Sequence, residues 1–409
     1  MVLPILNQES DGVRFKHHAV LDGVRGIAVL MVIVTHFASL SIANYHYFYA
    51  GLLGVDVFFV LSGFLITSIL LQEFERTHWI NLKRFYVRRF LRLMPAYWAC
   101  LFLLHFVAPH LLSSWEARQA GSNRTLFFAL IYATNWQEVF GDYIGVFTHL
   151  WSLAVEEQFY LIWAPLFLAL LMKMKNRVSI AGTTLLLIIL LFVGLEMKIG
   201  LGTVSKEYLY GATDCRLIPL LLGALASMAF LWKKLPAKFV TSRWFDRLAL
   251  MSFLAAVVLA SRFSVPNIST YRVMPWFALA LTIIILWMVT RSRSIVHSAL
   301  SFPPLLWVGR VSYGLYLWHH FFVAFVRDQA WPMSMKLGVG IALSFVVTTL
   351  SYYLLERPFL KLKQGFAPTA ANSVDRNFSP ANRADPLIVP SLQVRALVYL
   401  RKRALEYRL

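Results

Sequence analysis

The sequence predicts an all-α integral membrane protein of about ten transmembrane helices, and three observations carry that prediction. Of its 409 residues 59% are hydrophobic and only 14% charged, a balance outside that of soluble domains. Apolar stretches of about 20 residues, long enough to cross a bilayer, recur along most of the chain. Lys and Arg, 39 against 20 Asp and Glu, gather in the intervals between them. In a soluble protein the resulting charge of +19 would point to nucleic acid. Here the placement follows the positive-inside pattern of cytoplasmic loops, and no nucleic-acid partner is expected.

Residues 1–18 carry Arg14 and Lys16 and lack the apolar core and cleavage site of a signal peptide, so they are expected to form a cytoplasmic N-terminal segment. Spans are expected at about 20–40, 51–72, 94–112, 148–172, 179–200, 214–232, 246–262, 273–290, 305–326 and 336–355. The interval after the first span has no Lys or Arg and belongs outside. The interval after the second bears Arg76, Lys83, Arg84, Arg88, Arg89 and Arg92 and belongs inside. If the apolar piece 125–140 crossed, Lys173, Lys175 and Arg177 would be delivered outside. It is therefore expected to be a re-entrant or half-length helix, which is tolerated only when packed in protein or lining a cavity. With that choice the later basic intervals, from Lys233 to Lys363, fall inside and both termini are cytoplasmic.

Residues 19–363 thus make one transmembrane domain. Residues 364–409 read as a cytoplasmic tail, partly disordered, with a basic terminal helix. Cys100 and Cys215 offer neither a disulfide framework nor metal spacing, and no metal is expected.

Four polar groups interrupt the apolar background. Arg25 and His36 are eleven positions apart, which at 100° per residue places them on one helix face, roughly 16 Å apart along the axis. Ionisable groups on one face of a membrane helix mark a functional site unless they snorkel or pair structurally. In the basic run Lys83 to Pro95, Arg88, Arg89 and Arg92 share a face if the segment is helical; such forked guanidiniums suit a multiply charged phosphate, although topology alone also accounts for them. In His149 to Tyr160, Glu156 and Glu157 point about 100° apart, so that one can face a site and orient a histidine or balance an arginine. The fourth group is Asp56, Ser62 and Gly63. Asp56 reads as a helix cap, Ser62 as packing or a hydrogen bond, and Gly63 as a close helix approach.

The succession DGVRGIAVLMVIVTHF, GVDVFFVLSGFLIT, RRFLRLMPAYW, HLWSLAVEEQFYLIWAP, SYGLYLWHH and ERPF, in this order across about residues 18–365, resembles the membrane-bound acyltransferase-3 family. The resemblance implies a bacterial, multi-pass protein of the cytoplasmic membrane that takes an acyl group from cytoplasmic acyl-CoA as co-substrate, with no permanently bound cofactor. The acceptor would be a hydroxyl of a glycan or glycoconjugate, and acetyl the commonest group. It implies roles for Arg25 with His36 and for Arg89 with Arg92, and a catalytic role for Glu156. The late motif falls on Ser312, Tyr313, Tyr316 and His319. His149, Trp151, Tyr313 and His319 are then expected to bind substrate, and Arg25, Arg88, Arg89 and Arg92 to bind the donor. One departure is Ile218, where members often carry an acidic residue two positions after the arginine matched by Arg216.

On this reading His36 is a general base or a transient acyl carrier, with Glu156 orienting it; the sequence favours neither role. The competing class is a proton-coupled transporter or flippase using the same buried groups, which would show inverted repeats and paired broken spans.

Overall fold

The computed structural model describes residues 18–41, 49–112, 121–174, 176–233, 235–263, 271–291 and 294–364. The expectations for residues 1–17 and for the tail beyond Gln364 lie outside the described residues. All regular structure among the described residues is helical, as it must be where no water is present to satisfy backbone groups.

Among the described residues nine helices are long and apolar enough to cross a membrane. They are built on α1 (Ala19–Ala38), α2 (Gly54–Thr77), α3 (Leu82–Phe102), and, beyond two short helices α4 (Asn123–Leu130) and α5 (Thr134–Val139), α6 (Trp151–Lys173) and α7 (Arg177–Leu201). Then come α8 (Thr213–Leu231), α9 (Arg243–Ser261) and α10 (Val273–Thr290). The pair α11 (Pro303–Arg310) and α12 (Ser312–Arg327) precedes α13 (Met333–Ser351), which runs through a wide π turn, Tyr352–Glu356, into α14 (Arg357–Gln364). The chain is an integral membrane protein of the all-α class.

Two expectations change, and that of a non-crossing piece at 125–140 holds, with two short helices in place of one. The third span begins at Leu82, so Arg88, Arg89 and Arg92 lie on the helix itself and not in a loop before it. The piece 125–140 is two helices of 8 and 6 residues, parted by Tyr132 at φ 54°, and neither is long enough to cross. The expected ninth span, 305–326, is broken at Val311 between α11 and α12.

On α7, exposed Leu186, Ile189, Leu190, Val193 and Met197 recur at helical spacing on one face, which is where lipid belongs. The centre is α2 against α8. A Cβ on Gly63 would lie 1.8 Å from the Leu220 carbonyl oxygen, and one on Gly223 2.0 Å from that of Val60. Only glycine lets these backbones touch, as expected for Gly63. Asp56 does not cap its helix. Its carboxylate, fully buried, takes Arg216 of α8 at 3.1 Å, because a charge at that depth must be paired. Arg216 lies 5.3–5.6 Å from the rings of Phe59, Trp151 and Tyr210, a cation held among π faces.

Candidate active site

Helices α1, α2, α3, α6, α11, α12 and the π turn enclose a cavity of about 580 Å³. Arg25, Arg88, Arg89 and Arg92 all line it, so the structure brings together the four cations expected to hold a donor. They are not equivalent. Arg88 reaches Glu73 at 3.2 Å. Arg89 reaches Glu157 at 3.0 Å and lies 3.4 Å above the Tyr160 ring. Among the described residues Arg25 and Arg92 have no carboxylate at ion-pair distance. The buried Nε of Arg25 has no hydrogen-bond partner. Uncompensated guanidiniums in a partly enclosed space favour a phosphate-bearing ligand.

Of the adjacent carboxylates, Glu157 serves Arg89 while Glu156 faces the cavity, as their angular separation requires. Glu156 accepts a 2.6 Å hydrogen bond from the Ser62 hydroxyl, which also lines the cavity. The expected contact of Glu156 with His36 is not formed. At the far wall Ser152 and Tyr316 are 2.6 Å apart, and the Tyr316 hydroxyl donates to the His149 carbonyl at 2.7 Å. Tyr313 lines the cavity and donates to the Leu93 carbonyl at 2.8 Å, tying α12 to α3. Trp151 does not line it; its ring is turned to Arg216.

Beyond the Ser152–Tyr316 pair lie four histidines, and none of them, including the expected site residues His36, His149 and His319, lines the cavity. His36 contacts the rings of His319 and His320 at 5.0 and 5.3 Å, and His149 lies 5.8 Å from His319 and 4.9 Å from His320. No group of three or more His, Cys, Asp or Glu among the described residues is arranged to hold a metal ion. Both ring nitrogens of His149 already face backbone carbonyls, those of Val146 and Leu317, each at 3.1 Å.

The tautomers follow from the partners. His319 Nδ1 faces the Leu315 carbonyl at 2.9 Å and must carry the proton there. Its Nε2 is then a bare acceptor, and His36 Nδ1, 3.1 Å away, donates to it. Neutral His36 is left with an unprotonated Nε2 on a half-buried ring, the form a base or nucleophile needs.

Sequence reasoning missed Arg310, which lines the cavity from the end of α11, and His320, beside His36. Glu356 of the ERPF motif has no place in the sequence pattern of the site. That carboxylate is buried, lines the cavity, and has one oxygen without a partner. A π turn presents it, and π turns leave no pattern in hydrophobic spacing.

An all-helical membrane domain with a cationic cavity at one end of α1 and a histidine cluster at the other defines the class. A family model described as an acyltransferase domain, acyltransferase-3, matches residues 18–356. The chain belongs to the acyltransferase-3 family. It is similar to the peptidoglycan O-acetyltransferase OatA of Listeria monocytogenes, 31% identical over 379 residues, covering 88% of this chain and 58% of that protein. It is also similar to the O-acetyltransferase OatA of Staphylococcus aureus, 34% identical over 361 residues, covering 83% and 57%. The chain therefore spans a little under three fifths of the length of these relatives. No solved structure matches it.

Proposed function

We propose that this chain is an O-acyltransferase of a bacterial cytoplasmic membrane that moves an acyl group, acetyl by analogy with its relatives, from acyl-CoA to a hydroxyl of a carbohydrate-containing acceptor such as a cell-surface polysaccharide. The observation that carries the reading is the placement along one face of α1 of Arg25, which lines a cavity with arginines lacking ion-pair partners, and, outside the cavity lining, of His36, whose tautomer leaves a free nitrogen. Phosphates of the donor would lie against the arginines, and its long pantetheine arm would run along the Arg25 face toward His36, roughly 16 Å away. His36 Nε2 would take the proton of the acceptor hydroxyl as its oxygen attacks the thioester carbonyl. The carbon–sulfur bond breaks, the acyl–oxygen bond forms, and the departing thiolate of CoA receives a proton.

The test uses purified protein, acetyl-CoA labelled in the acetyl group, and a soluble glycan fragment as acceptor. Label is expected to appear on the glycan with release of free CoA only when glycan is present, and His36→Ala is expected to lower transfer by about 10²–10⁴. Transfer unchanged in His36→Ala would sink the assignment of the histidine. Movement of glycan across a vesicle membrane without CoA release would replace the enzyme with a transporter.

A further inference from the structure

Five arginines line the cavity, and Arg310 is the one without a role so far. The break at Val311 makes it the last residue of α11. That short helix is pressed onto α1 with backbones in contact. A Cβ on Gly309 would lie 1.9 Å from the Asp22 carbonyl oxygen, and one on Gly26 2.6 Å from that of Leu305. Glycine at both positions therefore fixes the residue after Gly309 beside the turn of α1 that carries Arg25.

Arg310 is exposed at the cavity wall and, like Arg25 and Arg92, has no carboxylate at ion-pair distance among the described residues. Arg92 lies in the field of Arg25, and Glu356 acts on it from beyond ion-pair range. Arg88 and Arg89, in contrast, are already neutralised by Glu73 and Glu157. Three guanidiniums without ion-pair contact, delivered by three helices to one cavity that Asp22, Glu156 and Glu356 also line, are placed to converge on an anion with several oxygens.

We propose that Arg310, together with Arg25 and Arg92, binds the phosphate groups of the acyl-CoA donor, while Arg88 and Arg89 brace the cavity wall. This rests on the acyl-CoA reading above. A lipid headgroup presents the same phosphate chemistry, so the experiment separates the two sources.

Binding of CoA and of S-acetylpantetheine, which lacks the phosphates, is measured by equilibrium dialysis on purified protein in detergent, for wild type, Arg310→Ala and Arg310→Lys. Loss of one charge-assisted contact is expected to weaken CoA binding about tenfold in Arg310→Ala. Arg310→Lys is expected to recover part of it, and S-acetylpantetheine binding to stay unchanged. Equal CoA affinity in wild type and Arg310→Ala overturns the inference and leaves the acyl-CoA reading standing. Equal losses for CoA and S-acetylpantetheine overturn it in favour of a shape-keeping role. Absence of CoA binding in the wild type removes the acyl-CoA reading itself. Competition of CoA by added phosphatidylglycerol that disappears in Arg310→Ala assigns the arginine to lipid and overturns the inference.

Discussion

If His36 is the base, His319 is its positioning partner, and the cost of removing it can be worked from the geometry. In the resting site His36 Nδ1 donates to His319 Nε2 at 3.1 Å, and His319 is held by the Leu315 carbonyl. When His36 accepts a proton, its Nδ1–H becomes a charged donor, and a hydrogen bond to a charged group contributes about 1.5–3 kcal/mol. Since each 1.36 kcal/mol is a factor of ten, His319→Ala should lower kcat by roughly 10- to 150-fold, less than His36→Ala. Gln at 319 can place an oxygen near the position of Nε2 and should recover part of the loss. The assay is transfer of labelled acetyl under saturating donor and acceptor, with the double variant His36→Ala/His319→Ala included. Because His319 acts through His36, the double variant should be no slower than His36→Ala alone. A wild-type kcat in His319→Ala, or losses that multiply in the double variant, would refute the reasoning.

Two further outcomes test the framework. Asp56→Ala should strand Arg216, 2% exposed, and destabilise the fold by about 3–5 kcal/mol; Asp56→Ala/Arg216→Met should lose less, and an unchanged melting temperature in the single variant would show that the pair is not structural. Glu138 of α5, outside the crossing helices, is pushed up to about 8 by burial, with the Thr148 hydroxyl acting the other way. A carboxyl raised in the folded state ionises first in the unfolded chain, so wild-type stability should fall as pH rises from the ordinary carboxylate range through about 8. Glu138→Gln should flatten that dependence, and identical pH profiles of thermal unfolding would contradict it.

What the sequence disclosed follows from its solvent. Lipid forces every backbone group into its own helix, so spans of about 20 apolar residues were legible, and so was the shared face of Arg25 and His36. Pairings across helices were not. Glu157 and Arg89 are 68 positions apart, Asp56 and Arg216 160, and no local pattern encodes them. The run from Lys83 to Arg92 read as a loop because charges normally end a span. In the structure they stay helical because the cavity and neighbouring carboxylates receive them. The break at Val311 interrupts an apolar stretch without Gly or Pro at that residue, so nothing in the hydrophobic pattern announced Arg310.

The separation of arginines from histidines has its own energetic logic. A base that gains positive charge in the transition state is opposed by any guanidinium nearby. At an effective dielectric of about 20 the repulsion is about 4 kcal/mol at 4 Å and about 1 kcal/mol at 16 Å. Placing the two groups three helical turns apart therefore spares roughly 3 kcal/mol, about a hundredfold in rate. A donor with charge at one end and its reactive thioester at the other, joined by a long neutral arm, lets one protein satisfy both demands. Among the described residues His36 has no carboxylate in contact to offset such a cation, and the imidazoles of His319 and His320 flank it instead. Distance from Arg25 then keeps the cavity arginines from adding to the repulsion that Arg327, beside Ser39, already exerts on His36.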